Sequence, residues 1–278
     1  MASVTELPVI DAWAQVPNKP EHMSFEPARN VFEAAGTVDD VASALDPADV
    51  LKQMDQIGIE KLLVCAWHLQ DRWHISNDDV AEVVAHDPER FIGVAAVPLT
   101  RPMDAVRELE RAVNELGFKA LRVLPWLWER PPTDRLYYPL FAKCVEVGIP
   151  FCTQAGHTGP LMPSEVGRPV PYLDQVALDF PELVVVAGHI GYPWTDEMIG
   201  VAWKHKNVYI DTSAWAPRHY PPQLLHYMRT YGREKVLFGT NFPQMPLERC
   251  VREAQALELP EDVAAGFFAD NARRVFGL

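Results

Sequence analysis

Two histidines lie at or just after the ends of short apolar runs, where a reactive side chain could face a binding cleft. His189 ends one such run, and His157 comes just after another. Histidine gains and loses a proton near neutral pH, so either side chain can serve as a general acid or base. The alternative interpretation is that His189 is a hydrogen-bonded scaffold residue and His157 an ordinary loop residue. Two carboxylates at the ends of apolar runs, Asp11 and Asp211, are reserve candidates for a base.

Arginines supply a second set of candidates. Arg122 lies inside the apolar run at 120–123, where a charged side chain needs a partner or must face a cleft. It could clamp a substrate carboxylate or form a buried ion pair, and the sequence leaves both interpretations open. Arg168, in a proline-rich loop, is a further candidate for binding a carboxylate, since a guanidinium group can make two parallel hydrogen bonds to it. Simple surface exposure is the alternative for Arg168.

Several tryptophans also lie at or just after the ends of apolar runs. Together they could wall a flat apolar pocket, which predicts a small acidic or aromatic molecule as the substrate. Core packing would explain any one of them on its own. The candidates for the pocket wall are Trp13, Trp67, Trp126 and Trp215.

Short apolar, β-branched runs alternate with longer helical segments along almost the whole chain. This alternation is typical of parallel βαβ units, and continuously hydrophobic strands are expected where both faces of a sheet are covered. Eight runs in 278 residues predict one α/β domain over residues 1–278, folded as a (β/α)₈ TIM barrel. The predicted strands are 8–13, 61–67, 91–97, 119–124, 150–155, 183–189, 208–213 and 236–240.

Three irregular segments interrupt this rhythm, at about 15–45, 124–137 and 158–171. In a barrel, the loops that follow the C-terminal ends of strands carry the binding and catalytic residues. We therefore expect these segments to border the site. The predicted helices are 47–56, 77–86, 103–116, 138–147, 172–180 and 223–231.

Composition argues against several classes of protein. The formal net charge of −13 opposes binding to a phosphate backbone, so we expect no nucleic-acid partner. No apolar run approaches the ~20 residues needed to cross a bilayer, and the first residues lack a signal-peptide pattern. We therefore expect a cytoplasmic protein with no membrane partner, and a homodimer is compatible with these features. The four cysteines are widely spaced, which favours buried free thiols.

Four strings in the last third of the chain are more specific. They read Val-Val-Ala-Gly-His-Ile-Gly at 185–191, Asn-Val-Tyr-Ile-Asp-Thr-Ser at 207–213, Val-Leu-Phe-Gly-Thr-Asn-Phe-Pro at 236–243 and Asn-Ala-Arg-Arg-Val-Phe-Gly-Leu at 271–278. In order and spacing they resemble the amidohydrolase-2 family, which includes aminocarboxymuconate-semialdehyde decarboxylase-like and resorcylate decarboxylase-like enzymes. The resemblance covers nearly the whole chain and implies a barrel with its catalytic site at the C-terminal ends of the strands.

Members of this family typically hold a divalent metal with a His-x-His pair on strand 1, one His each on strands 5 and 6, and an Asp on strand 8. The corresponding positions here are Trp13, Gln15, Gln154, His189 and Asn241, so the resemblance retains only His189. An indole and neutral carboxamides are poor ligands for a divalent ion. The sequence therefore predicts no cofactor, with a divalent metal such as zinc disfavoured.

The leading prediction is a metal-independent hydrolase that acts on a lactone, ester or thioester-like group of a small carboxylic acid. His189, His157 and Asn241 are its predicted catalytic residues, and Gln15 and Gln154 are predicted to bind the substrate. Fixed hydrogen-bond donors of this kind can stabilise an oxyanion without a metal. The first alternative is a non-oxidative decarboxylase of an aromatic or unsaturated acid. The second is a non-catalytic binding protein, since a fold does not by itself guarantee chemistry.

Overall fold

Eight parallel strands form the central sheet, and they neighbour one another in the order in which they occur along the chain. The computed structural model describes residues 7–16, 26–38 and 45–278. The strands are β1 (Val9–Ala14), β2 (Ile59–Cys65), β3 (Phe91–Ala95), β4 (Ala120–Arg122), β5 (Phe151–Gln154), β6 (Val185–Gly188), β7 (Val208–Asp211) and β8 (Val236–Leu237).

Hydrogen bonds between β1 and the segment that follows β8 close this sheet into a barrel. The Ala12 amide donates to the Phe238 carbonyl at 2.9 Å, and the Asn241 amide donates to the Trp13 carbonyl at 2.8 Å. The Ala14 backbone forms a further parallel bridge to this segment. The predicted (β/α)₈ barrel is thereby confirmed, and each observed strand overlaps its predicted run.

Helices alternate with the strands and surround the sheet. The six predicted helices are all present, with ends that differ from the predicted ones by a few residues. The helices are α1 (Glu26–Ala35), α2 (Pro47–Ile57), α3 (Asn77–His86), α4 (Pro102–Asn114), α5 (Pro125–Trp128), α6 (Tyr138–Val147), α7 (Asp174–Asp179), α8 (Thr195–Lys204), α9 (Pro222–Arg229), α10 (Leu247–Gln255), α11 (Glu261–Ala265) and α12 (Asn271–Phe276).

Helix α2 shows how local sequence sets the helix ends. The Asp46 side chain accepts a hydrogen bond from the Ala48 amide at the start of the helix. Gly58 ends it with a φ of +77°, a left-handed conformation that costs glycine little. Gly148 ends α6 in the same way. These contacts set the direction in which the chain enters the next strand.

The predicted irregular segments add short elements at the C-terminal end of the barrel. Helix α1 belongs to the segment 15–45, of which residues 17–25 and 39–44 lie outside the described residues. Helix α5 belongs to the segment 124–137, and the segment 158–171 contains a 3₁₀ turn at Glu165–Gly167. After β2, a two-stranded antiparallel hairpin joins Trp67–His68 to Trp73–Ile75.

Gly93 in β3 makes room for the buried Phe118 ring. A Cβ atom at Gly93 would lie 2.3 Å from Cδ1 of Phe118. Because overpacking a core costs about 1–3 kcal/mol, we expect Gly93→Ala to lower the free energy of unfolding by that amount in a denaturant titration.

Gly200 in α8 is the matched control for this substitution, since a Cβ atom there meets nothing within 4 Å. Gly200→Ala should stabilise the protein by about 0.4–1 kcal/mol, because it restricts the unfolded chain. Equal stability changes in the two variants would show that the Phe118 ring moves aside without cost.

The four cysteines are buried and free, as predicted. Burial raises the pKa of the Cys65 thiol to about 11 and that of Cys250 to about 12. Since the thiolate is the reactive form, neither thiol is suited to act as a nucleophile. Within the described ranges, every helix is too short or too polar to cross a membrane.

Candidate active site

A cavity of about 130 Å³, called the larger cavity below, opens at the C-terminal ends of the barrel strands. Nine of the eleven predicted site residues line it, and the exceptions are Arg122 and Arg168. Each of the nine comes from the end of a strand or the segment after it, where the barrel fold gathers functional side chains. They are Trp13, Gln15, Trp67, Trp126, Gln154, His157, His189, Trp215 and Asn241.

His189 follows β6 in an unusual backbone conformation. Its φ is +68°, and Ala214 and Asn241, which come after β7 and β8, have φ values of +63° and +70°. Such values are uncommon outside glycine, and residues that adopt them cluster at functional sites. The His189 Nδ1 lies 2.8 Å from the Ser213 Oγ, and the His189 ring centre lies 5.0 Å from that of Trp13.

The protonation state of His189 follows from its surroundings. Burial lowers the pKa of His189 to about 3, and the positive charges of Arg122 and His157 act in the same direction. The imidazole is therefore neutral near pH 7. A neutral imidazole accepts a hydrogen bond at one nitrogen and donates at the other, but it cannot supply the proton of an imidazolium. His189 therefore cannot act as an imidazolium general acid near pH 7, and its neutral ring is left to accept or donate hydrogen bonds.

His157 follows β5 and is half-buried at the cavity wall. Its Nδ1 lies 3.0 Å from the Thr158 carbonyl oxygen, which only accepts, so Nδ1 carries a hydrogen. Nε2 is then the ring nitrogen that is left to face a ligand. The His157 ring centre lies 5.6 Å from that of Tyr192 and 6.4 Å from that of Trp215. His157 and His189 are both half-buried, and they differ in that burial and nearby positive charges lower the pKa of His189.

Gln154 joins the cavity wall to the loop that carries His157. The Trp126 Nε1 donates to the Gln154 Oε1 at 2.7 Å, and the Gln154 Nε2 donates to the His157 carbonyl at 2.9 Å. Both ends of this amide are thus occupied within the protein. Gln154 fixes the orientation of one indole and the path of one loop.

A second group of amides comes from the segments that follow β1 and β8. The Gln15 and Asn241 side chains are 2.7 Å apart. In this arrangement the Gln15 Nε2 donates to the Asn241 Oδ1, and the Asn241 Nδ2 donates to the Gln244 Oε1. Since an amide does not take up a proton at ordinary pH, Asn241 contributes hydrogen bonds rather than base catalysis.

Two buried carboxylates contact residues of the wall without lining the larger cavity. Burial raises the pKa of Asp11 to about 7 and that of Asp211 to about 6. Asp11 accepts from the Trp13 amide at 3.1 Å, and from the Thr240 amide and hydroxyl at 2.9 and 2.5 Å. Asp211 accepts from the Ser213 amide at 2.7 Å. These contacts hold the strand ends together and point to a structural role.

The structure brings neither predicted arginine to the wall of the larger cavity. Arg168 forms an ion pair with Glu197, with 2.5 Å between Nη2 and Oε1. Its charge is therefore already paired away from the cavity. Arg122 is buried against two indoles, with its guanidinium carbon 4.6 Å from the ring centre of Trp13 and 5.7 Å from that of Trp67. The Trp13 and Trp67 rings line the larger cavity, and Arg122 lies behind them.

Several residues of the wall were not predicted. Val31 and Phe32 come from α1, Pro160 from the loop after β5, and Gln244 from the segment after β8. Helix α1 lies in a segment predicted to be irregular, so nothing assigned Val31 and Phe32 to the site. Gln244 had a detectable signal, because it repeats the amide chemistry of Asn241 only three residues later.

A family model described as amidohydrolase matches residues 10–278, which is nearly the whole chain. The chain belongs to the amidohydrolase family. The resemblance drawn from the four strings in the last third of the chain is thereby confirmed.

Two relatives to which this amidohydrolase-family protein is similar are named as a decarboxylase and a hydratase. A γ-resorcylate decarboxylase from a Rhizobium species is 24% identical over 289 residues, covering 82% of this chain and 86% of the relative. A 2-keto-4-carboxy-3-hexenedioate hydratase from a Sphingobium species is 28% identical over 243 residues, covering 72% of this chain and 70% of the relative. These relatives do not support the leading prediction of a hydrolase, and the decarboxylase alternative fits them better.

Solved structures share the barrel. An uncharacterized TIM-barrel protein from Bordetella bronchiseptica has a TM-score of 0.83 at 23% identity, covering 98% of this chain and 99% of that one. A 5-carboxyvanillate decarboxylase from Novosphingobium aromaticivorans, complexed with manganese and 4-hydroxy-3-methoxy-5-nitrobenzoic acid, has a TM-score of 0.71 at 18% identity. That alignment covers 99% of this chain and 97% of the decarboxylase.

The manganese in that neighbour contradicts the prediction that the site has no cofactor, which rested only on the replaced ligand positions. The replacements themselves do not fit such an ion, since Trp13 offers an indole N–H and Gln15, Gln154 and Asn241 offer neutral amides. Within residues 7–16, 26–38 and 45–278, no group of three or more His, Cys, Asp and Glu side chains is placed to hold a metal.

Proposed function

We propose that this protein is a non-oxidative decarboxylase of a small aromatic carboxylic acid. The observation that carries the proposal is the composition of the larger cavity. Indole rings form much of its wall, and two histidines and several amides contribute polar groups. The similarity to a γ-resorcylate decarboxylase and to a 5-carboxyvanillate decarboxylase supports the same class of reaction.

The size and walls of the larger cavity suit one aromatic ring. Its volume of about 130 Å³ is close to the ~150 Å³ of an apolar cavity that binds benzene. The Trp67 and Trp126 rings meet edge to face, with 6.1 Å between their centres. Apolar walls also favour the reaction, because the carboxylate becomes neutral CO₂ and a poorly solvated charge is lost.

Decarboxylation of an aromatic acid needs a proton at the ring carbon that carries the carboxylate. Protonated His157 donates from Nε2 to that carbon. The bond between the ring and the carboxylate then breaks, its electron pair restores the aromatic ring, and CO₂ leaves. His157 is half-buried and recovers a proton from solvent. The net change replaces a carboxylate with a hydrogen, takes up one proton and involves no oxidation or reduction.

Neutral His189 has a different role in this scheme. Its Nδ1 is engaged by the Ser213 hydroxyl at 2.8 Å, which leaves Nε2 for the ligand. Nε2 can hydrogen-bond to a ring substituent such as a hydroxyl group. The Gln15 and Asn241 amides, which hold one another at 2.7 Å, complete a polar edge that orients the ring towards His157.

Turnover in D₂O tests the proposal directly. Purified protein is incubated with γ-resorcylate and with 5-carboxyvanillate, with and without added Mn²⁺, and CO₂ and the aromatic product are analysed. We expect CO₂ release and one deuterium at the carbon that carried the carboxylate, seen by mass spectrometry and NMR. Hydrolysis of aryl esters or lactones without CO₂ release from either acid would contradict the proposal, and so would the addition of water to an unsaturated acid.

A further inference from the structure

A second cavity, called the smaller cavity below, lies beside the larger one at the ends of β2, β3 and β4. Its walls include Arg122, Trp67, His68 and Trp128. Its volume is about 10 Å³, which is room for about one water-sized atom. Trp67 and Leu124 border both cavities. The two cavities therefore adjoin at Trp67 and Leu124.

Arg122 and Trp67 each bring a buried donor without an acceptor to this place. Arg122 is 2% exposed, and its Nε has no hydrogen-bond partner among the described residues. Its Nη2 donates to the Ala66 carbonyl at 3.3 Å. The Trp67 Nε1 is also buried and, within the same described ranges, unpaired. Since buried donors are rarely left unpaired, both call for an acceptor.

Within the described part of the chain, no carboxylate contacts Arg122 directly. Among the described residues Arg122 forms no salt bridge, whereas Arg168 pairs with Glu197. Asp211 attracts Arg122 only through space. The Trp13 ring, 4.6 Å from the guanidinium carbon, stabilises a cation but does not accept a hydrogen bond from Nε. The missing partner is therefore an acceptor, and the positive charge selects an anionic one.

We propose that the smaller cavity binds one oxygen of a carboxylate carried by the ligand of the larger cavity. Arg122 Nε and Trp67 Nε1 donate to that oxygen, and the guanidinium charge favours a carboxylate over a neutral group. The proposal rests on the decarboxylase function, because it adds a second carboxylate to the substrate of that reaction.

The carboxylate at Arg122 is not the one that leaves as CO₂. Hydrogen bonds from a buried guanidinium group stabilise the anion, and neutral CO₂ does not retain that stabilisation, so they would raise the barrier to its departure. His157, the proton donor, lines the larger cavity and does not line the smaller one. The substrate class is therefore an aromatic acid with two carboxylates, one close to His157 and the other at Arg122.

Calorimetric titration of the full chain with benzene-1,3-dicarboxylate and with benzoate tests this assignment. We expect wild type to bind the dicarboxylate at least about tenfold more tightly, because a buried hydrogen bond to a charged group is worth about that factor. In Arg122→Met the ratio of the two affinities should fall to about two or less. Trp67→Phe keeps the ring and removes only the N–H, so it should lose part of the preference, and it serves as the test if Arg122→Met does not fold.

Arg168→Met is the matched control, because it removes an arginine that lines neither cavity, and the ratio should remain that of wild type. A wild-type ratio near one, or a full preference in Arg122→Met, would overturn the assignment. A crystal structure of the dicarboxylate complex with only water in the smaller cavity would do the same. Binding can be measured without turnover, so failures of the two proposals are distinguishable. If the decarboxylase function is wrong, CO₂ release is absent while the affinity ratio persists. If the carboxylate site is wrong, the affinity ratio is lost while CO₂ release continues.

Discussion

Replacement of His157 by glutamine is expected to lower kcat for decarboxylation by about 10²–10⁴-fold, the usual contribution of a positioned general acid. The glutamine amide can still donate to the Thr158 carbonyl, as His157 Nδ1 does at 3.0 Å, but it carries no proton that it can transfer to carbon. Initial rates of CO₂ release give kcat and KM for wild type and variant. KM should change little, since the indole walls that bind the ring remain.

Tyr192→Phe is the matched control for His157→Gln. The Tyr192 ring packs against His157 with 5.6 Å between ring centres, and phenylalanine keeps this contact while removing one hydroxyl. Its kcat should stay close to that of wild type. A His157→Gln variant that retains more than about a tenth of wild-type kcat would show that another group delivers the proton.

The barrel could be predicted because its strands follow a simple physical rule. A strand covered on both faces is continuously apolar, as in β6, where all the side chains are buried. The strand ends were harder to place. The run 236–240 was predicted as one strand, but β8 ends at Leu237. Beyond it, the Thr240 amide and hydroxyl donate to the Asp11 carboxylate and not to a backbone carbonyl of a neighbouring strand. No local sequence pattern predicts such a contact.

Helix α8 is not among the predicted helices, and it shows a different limit of prediction from sequence. It has no side-chain hydrogen bond at its N-cap, Trp194, and five of its ten residues are buried. An apolar helix with a wide buried face has a weak helical period, and that period is the signal on which sequence reasoning depends. The capped helix α2, by contrast, was predicted to within one residue at its end.

At the site, positions could be predicted better than chemical states. The strand-end rule located nine of the eleven candidates in one cavity. The neutral state of His189 depends on burial and on Arg122, two strands away in the sheet, so it follows only from the assembled barrel. The prediction of no cofactor failed for a related reason. The residues that replace the family's ligands give information about those positions only, and not about the rest of the assembled site.

Acid should destabilise the protein through His189. Burial lowers its pKa to about 3 from the ordinary value of 6.5. As the pH falls below 6.5, the unfolded chain binds a proton at this residue that the folded chain does not bind until about pH 3. The free energy of unfolding therefore falls over this window, by about 1.4 kcal/mol per pH unit. Between about pH 7.5 and about pH 4.5 the His189 contribution to the loss is about 3 kcal/mol.

Two carboxylates titrate in the opposite sense over part of this range. The pKa values of Asp11 and Asp211 are raised to about 7 and about 6 from the ordinary 3.8. Their contribution to stability is therefore complete below pH 3.8 and is lost as the pH rises towards these values. Wild-type stability alone mixes the two effects, so the His189 contribution has to be measured as a difference between variants.

His189→Asn isolates that difference, because asparagine tolerates the φ of +68° and can hydrogen-bond to Ser213. We expect the change in the free energy of unfolding between about pH 7.5 and about pH 4.5, from denaturant titrations, to be about 3 kcal/mol smaller in His189→Asn than in wild type. His86→Asn, at the exposed end of α3, is the matched control and should behave as wild type. If acid destabilises wild type and His189→Asn equally, folded His189 takes up its proton as readily as the unfolded chain does, and the neutral imidazole assigned to the site is wrong.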